Sequence, residues 1–242
     1  MIKFFRHIRK ALLAENRFSK YLFYAIGEIV LVVIGILIAL QVNNWNEDRK
    51  QTRKEIALLK ELQSNLNDTK NAIDTSLTWN RKNLEWNEYL LASIHANDAY
   101  QNKFDTIFGH LPYWDTPFLT QNAYQNINTL GVDIISDTKL RKKIVDLYEE
   151  TLPRLLNDWD KWEWNVNQTI VMPFFAKHIR GSLKDRRIAT PNDFEALKKN
   201  DEFLNILAVI YRTRIYGIGL LEESLEKIEE VNFEIESLLD ND

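Results

Sequence analysis

Residues 21–42 read YLFYAIGEIVLVVIGILIALQV, an apolar run broken only by Glu28 and, near its end, by Gln41. As a helix rising ~1.5 Å per residue it reaches roughly 33 Å, enough for the ~30 Å hydrocarbon core of a bilayer. Tyr21 and Tyr24 at one end and Trp45 at the other suit the aromatic belts of the two membrane interfaces. A core helix of a soluble domain would keep a polar face, and 29–40 has none. A signal peptide would have a shorter apolar run and a pair of small residues before its cleavage point, which Ile38-Ala39-Leu40-Gln41-Val42 does not offer. The expectation is a single N-terminal transmembrane helix over 21–43.

Charge on either side gives it a direction. Residues 1–20 carry Lys3, Arg6, Arg9, Lys10, Arg17 and Lys20 against Glu15 alone. In 49–54, by contrast, basic residues are interleaved with acids nearby. Basic flanks stay inside, so the N-terminus is expected in the cytoplasm and 44–242 outside it. Met1, Phe5, Ile8 and Leu12 share one helical face, with Lys3, Arg6, Arg9 and Lys10 opposite. That pattern fits a helix lying on the anionic inner leaflet, or a plain topogenic signal.

Glu28 needs a reason, because a carboxylate inside a bilayer is costly unless it meets a partner, water or a proton path. On a helix it shares a stripe with Val32, Gly35 and Ala39, and Gly35-x-x-x-Ala39 is a small-residue pair that lets two helices approach. Two readings stand: a packing face toward another chain, or a side chain that snorkels to the nearby headgroups.

Beyond the membrane the chain has the composition of an ordinary fold. Of its 242 residues 45% are hydrophobic and 27% charged, which excludes wholesale disorder. The absence of cysteine excludes disulfides, thiolate metal sites and thiol catalysis. From 47 to about 96 there is neither Gly nor Pro. Leu59, Leu62, Leu66, Ile73, Leu77, Leu84, Leu91 and Ile94 recur at helical steps, with Thr69, Asn80 and Asn87 diluting the seam. A coiled coil fits this less well than a helix of a bundle.

The aromatic stretch 104–118 reads as loop. A helix over 121–130 should stop at Gly131, and Asp137 should cap the next, which Pro153 should kink or restart before it runs on to Pro173. Thr190-Pro191-Asn192-Asp193 reads as a further helix start, with Thr190 as cap. The last long helix covers 201–239, with Phe203, Ile206, Ile210, Leu221, Leu225, Ile228, Ile235 and Leu238 inward and Gly217 and Gly219 permitting close packing. No alternating strand pattern occurs. The expected class is all-α: a membrane helix continuing into an elongated helical bundle whose first and last long helices pair antiparallel.

The opening block MIKFFRHIRKALLAENRFSKYLFYAIGEIVLVVIGILIALQVNNWNEDRK, residues 1–50, resembles an uncharacterised family of single-span bacterial membrane proteins, catalogued as a domain of unknown function. So does AYQNINTLGVDIISDTKLRKKIVDLYEETLP at 123–153. The resemblance implies a Gram-negative inner-membrane protein with a helical extracytoplasmic region. It implies no activity, cofactor or catalytic residue.

The sequence carries few residues in a chemically telling pattern. His7, His95, His110 and His178 are scattered, and no metal-binding, nucleotide-binding or nucleophile motif occurs. Glu222 and Glu226 share a helix face that could bind a divalent cation or serve as an acid/base pair, although far more often such a run is a solvated face. Trp159, Trp162 and Trp164 cluster, and Trp79 and Trp86 lie two turns apart on the first long helix. They read as a core layer or as an aromatic platform for a ligand or partner. Lys177, Arg180, Lys184, Arg186 and Arg187 form a basic patch that reads as a contact for lipid headgroups or an acidic partner, or as a surface that binds nothing, while the acidic balance of 44–242 argues against nucleic acid. The expectation is a non-enzymatic, cofactor-free envelope protein that contacts the lipid bilayer and assembles with itself or another envelope protein. The alternative is a ligand-sensing domain. About 20 cytoplasmic residues house no output domain, so a sensor would need a separate transducer.

Overall fold

The structure, a computed structural model, describes residues 18–240. The basic segment with Lys3, Arg6, Arg9 and Lys10 lies outside them, as do the side chains of Tyr21 and Tyr24. Apart from loops and two three-residue strands the described residues are helical, and the class is all-α. The chain divides into two compact units, 1–54 and 55–242. Helix α1 (Phe18–His95) contributes to both.

In the first unit every residue of α1 from Ile29 onward is exposed, including Leu31, Ile38 and Trp45. Two helices are long and apolar enough to cross a membrane, which is weak evidence for a membrane protein. They differ in burial: none of the most apolar stretch of Ala25–His95 is covered, whereas half of that in Asp201–Asp240 is.

The second unit is built on the rest of α1. Its buried positions Leu59, Leu62, Leu66, Thr69, Ile73, Ser76, Asn80, Asn83, Asn87, Leu90 and Ile94 follow steps of alternately three and four residues. The seam is continuous but partly polar, and the expected Leu84 and Leu91 are only half-buried beside it. The polar members have a job. A strip of chain from 110 to 136 lies along α1, and its unpaired backbone groups need partners. Glu55 accepts from the Ser136 N–H (2.7 Å), and Thr69 from the Thr120 N–H (3.1 Å). Asn80 donates to the Asp115 carbonyl (2.7 Å) and accepts from its N–H (3.3 Å), and Asn83 donates to the His110 carbonyl (2.8 Å). Replacing Asn80 by Leu would perfect the apolar seam. The substitution is nonetheless expected to destabilise by about 1–3 kcal/mol in a denaturant titration, because the backbone carbonyl and N–H of Asp115 both lose Asn80 as their partner. A gain in stability would refute this account of the seam.

Along this strip lie α2 (Lys103–His110) and α3 (Asn122–Leu130), the latter closed by Gly131 at φ 98°, where a side chain would be strained. Asp137 then accepts from the Lys139 and Leu140 N–H groups, capping α4, a helical run over 138–178. Pro153 does not end it, and the run passes Pro173 to reach His178. Three wide π turns, at Leu147–Thr151, Leu155–Asp160 and Asn167–Val171, interrupt its α geometry. Each proline follows one of them closely, where the altered register relieves the usual clash with the preceding turn.

A hairpin of β1 (Ile179–Gly181) and β2 (Ala189–Pro191) follows, with Ile179 opposite Pro191. It corrects the expected helix start. Thr190 is a strand residue, and Asp193 is the cap of the short α5 (Phe194–Leu197), accepting from the Ala196 N–H at 2.9 Å. Helix α6 (Asp201–Asp240) runs antiparallel to α1, since Tyr211 donates to Glu88, Glu222 pairs with Arg81, Glu229 with Lys70, and Asn232 with Asn67.

The core of this unit has two apolar clusters. One joins Leu59–Leu77 of α1 to Leu140–Trp159 of α4 and Leu220–Ile235 of α6. The other gathers Leu90, Phe104, Phe108, Phe174, Phe194, Phe203 and Ile210. Between them in sequence, on all three helices, lie buried polar residues: Asn80, Asn83 and Asn87, then Glu163, then Thr213 and Arg214.

Candidate functional site

The five tryptophans of interest do not form one surface. Trp159 is fully buried, its ring against Gly217, where an added Cβ would stand 2.0 Å from the indole. Its Nε1–H donates to Glu163 (3.2 Å), which pairs with Arg214 at 3.0 Å. Arg214 also donates to the Tyr113 carbonyl (3.0 Å). Burial holds the Glu163 carboxyl above its ordinary value and the Arg214 guanidinium below its own, at about 10, because desolvation outweighs their attraction. This pair ties α4, α6 and the loop together.

Trp164 lies edge-on to Trp114 with ring centroids 5.5 Å apart, over a 260 Å³ hollow beside Asp160. Asp160 is occupied structurally, accepting from Trp114 Nε1–H and Thr116 Oγ–H. Trp162 instead stands exposed in an open groove of about 550 Å³ between α4 and α6, with Asp158, Val209, Arg212, Thr213 and Tyr216.

Trp79 and Trp86 face neither of these groups. Both are half-buried and flank His110, whose ring centroid is 6.4 Å from Trp79 and 4.8 Å from Trp86. His110 Nδ1 lies 2.8 Å from the Thr106 carbonyl and donates to it, which leaves Nε2 for other contacts. Here the hairpin loop closes over α2, and an added Cβ at Gly109 would stand 2.0 Å from the Arg187 carbonyl. The result is a cleft of about 320 Å³ lined by Trp79, Gly109, His110, Tyr113, Arg186 and Arg187. Arg187 is held by Asp185 through two 3.0 Å guanidinium contacts, which bring that carboxyl down to about 2.

On the apolar N-terminal part of α1, Glu28 is half-buried while Val32, Gly35 and Ala39 are exposed, and a Cβ at Gly35 would meet nothing within 4 Å. The acidic run of α6 is spent largely on its neighbours: Glu222 with Arg81, Glu223 with Arg154, Glu229 with Lys70, and Glu230 and Glu234 with Lys143. Among the described residues no group of three or more His, Cys, Asp or Glu is placed to hold a metal ion. Tyr113, Arg212 and Tyr216 carry no motif in the sequence, and His110 stands there only as one of four scattered histidines, since only the fold brings these residues beside tryptophans.

A model described as a family of unknown function (DUF6090) matches residues 28–211, well over half of the chain. No curated protein and no solved structure matches it.

Proposed function

We propose, for a chain that belongs to the DUF6090 family and takes no activity from it, a role as a non-enzymatic, membrane-anchored envelope protein that assembles with itself or with another envelope protein. The carrying observation is the groove between α4 and α6. Trp162 is 55% exposed and Tyr216 46%, and beside them Asp158 and Arg212 make no ion pair among the described residues. Trp, Tyr and Arg dominate binding energy at protein interfaces. One unpaired acid and one unpaired base in the same groove suit a second copy related by a two-fold axis. Within the bilayer, Glu28, Val32, Gly35 and Ala39 supply a second contact face.

The 21–43 helix is the anchor in this reading, crossing a bacterial inner membrane once with 44–242 in the periplasm. The basic N-terminal flank supports that orientation. The half-buried state of α6 supports a single crossing, because a helix spent on the core is not free to leave it.

The test is native mass in mild detergent, with whatever copurifies. A homo-oligomer or a defined companion is expected, weakened at least tenfold by Trp162→Ala and also by Gly35→Leu. A clean monomer at all concentrations would overturn the assembly role. The cleft around His110 favours a second reading, a ligand-sensing periplasmic domain that works through a separate transducer.

A further inference from the structure

We infer that the cleft between α1, α2 and the hairpin loop binds a small organic oxyanion, carboxylate or phosphate, carried on a ring, as in an acidic sugar. The inference gives a chemical class to the ligand-sensing reading and is independent of assembly. Three features of the cleft point to that class.

The first is a cation without a partner. Arg187 is neutralised by Asp185, whereas Arg186 beside it is exposed and makes no hydrogen bond or ion pair with any described residue. A guanidinium presents a planar fork of donors that matches a carboxylate or phosphate in two parallel hydrogen bonds.

The second is a pair of ring walls. Trp79 is half-buried and held on α1, and Tyr113 is 51% exposed. Aromatic faces of this kind stack against the C–H face of a sugar ring and gain little from a bare inorganic ion. His110 adds a nitrogen for a hydroxyl, because its Nδ1–H is committed to Thr106 and Nε2 is left over. A volume of about 320 Å³ suits one such ring.

The third is a preformed wall. The Arg187 carbonyl sits where only a glycine at 109 can admit it, so the loop that carries Arg186 rests directly on α2. Binding therefore need not first order the loop, which lowers its entropic cost.

The experiment is titration calorimetry on the full-length protein in detergent, with glucuronate, glucose 6-phosphate, glucose and inorganic phosphate as probes. At least one of the two acidic sugars is expected to bind, with glucose and phosphate at least tenfold weaker. Whichever binds distinguishes a carboxylate from a phosphate ligand. Arg186→Gln, a surface change that leaves the fold intact, should weaken binding at least tenfold, and Trp79→Leu should weaken it while sparing the residual response to phosphate. No heat from either acidic sugar at 10 mM, or unchanged affinity in Arg186→Gln, would overturn the inference. So would equal affinity for inorganic phosphate, the mark of an unspecific cationic surface. Native mass recorded on the same samples should not move with Arg186→Gln, which separates failure here from failure of the assembly role.

Discussion

Arg214→Met is expected to lower the stability of the helical unit by about 3–5 kcal/mol, among the largest effects of any single change. Arg214 is 1% exposed and Glu163 3%, and their contact sits between the two apolar clusters. Removing the guanidinium leaves a carboxylate that neither water nor another cation can reach, and strips a donor from the Tyr113 carbonyl. The loss should depend on pH in a definite direction. Burial already raises the Glu163 carboxyl above its ordinary 4.5, so at a pH between the unfolded and folded values the folded state binds more proton than the unfolded state does. Its contribution is fully present below the unfolded value and is lost as pH rises through the folded one. Without Arg214 the folded value climbs further. The gap between variant and parent should therefore narrow as pH is lowered toward 4.5 and widen above it. Adding Glu163→Gln to Arg214→Met removes the stranded charge while keeping an acceptor for the Trp159 indole, and should recover most of the loss. A variant as stable as the parent at pH 8 in urea titration would refute this. The exposed pair Arg81–Glu222, at 2.6 Å, is the contrast, since screened surface pairs contribute about 1 kcal/mol or less.

The position of Arg214 was written in the sequence without being legible as a buried cation. It lies four residues after Ile210 and seven before Leu221, on the stripe that carries Phe203, Ile210, Leu221 and Ile228. Periodicity finds that stripe because burial of apolar side chains repeats with the helix turn. It treats a charged residue on the stripe as a break, although Lys, Arg and Glu do occupy cores when paired. The same blindness made the α1 seam look diluted at Asn80 and Asn87, where the partner is another segment's backbone and not a hydrophobic side chain.

Local signals fared better where their physics is local. Gly131 ends α3 because the chain needs a positive φ there, and Asp137 caps α4 by accepting from the N–H groups two and three residues on, of Lys139 and Leu140. The hairpin at 179–191 escaped because three-residue strands cannot show alternation, and Thr190-Pro191 carries the same residues as a helix start. The candidate site was legible only in part. Trp79 and Trp86 share a helix face by spacing alone, but the histidine between them and the arginines above arrive from elements separated from α1 by loops.

The contact between Trp159 and Gly217 yields the second large effect and, with it, a reversal of sign. Trp159→Ala should cost about 3–5 kcal/mol, the range for removing a fully buried aromatic from a packed core. On helix propensity alone, Gly→Ala inside α6 should stabilise by up to about 1 kcal/mol. At position 219 it should do so, because an added Cβ there meets nothing within 4 Å. At position 217 the same change puts a methyl 2.0 Å from Trp159 Cε2 and 2.3 Å from Nε1, against a ring that is fully buried. Gly217→Ala is thus expected to destabilise by about 1–3 kcal/mol, as overpacked cores do. In a Trp159→Leu background the obstruction is gone, and Gly217→Ala should turn neutral or stabilising. The two positions should then couple by at least about 1 kcal/mol in a double-mutant cycle read by urea denaturation. Additive effects would mean that the ring and the glycine do not touch, and that the close packing of α4 on α6 at this level has another cause.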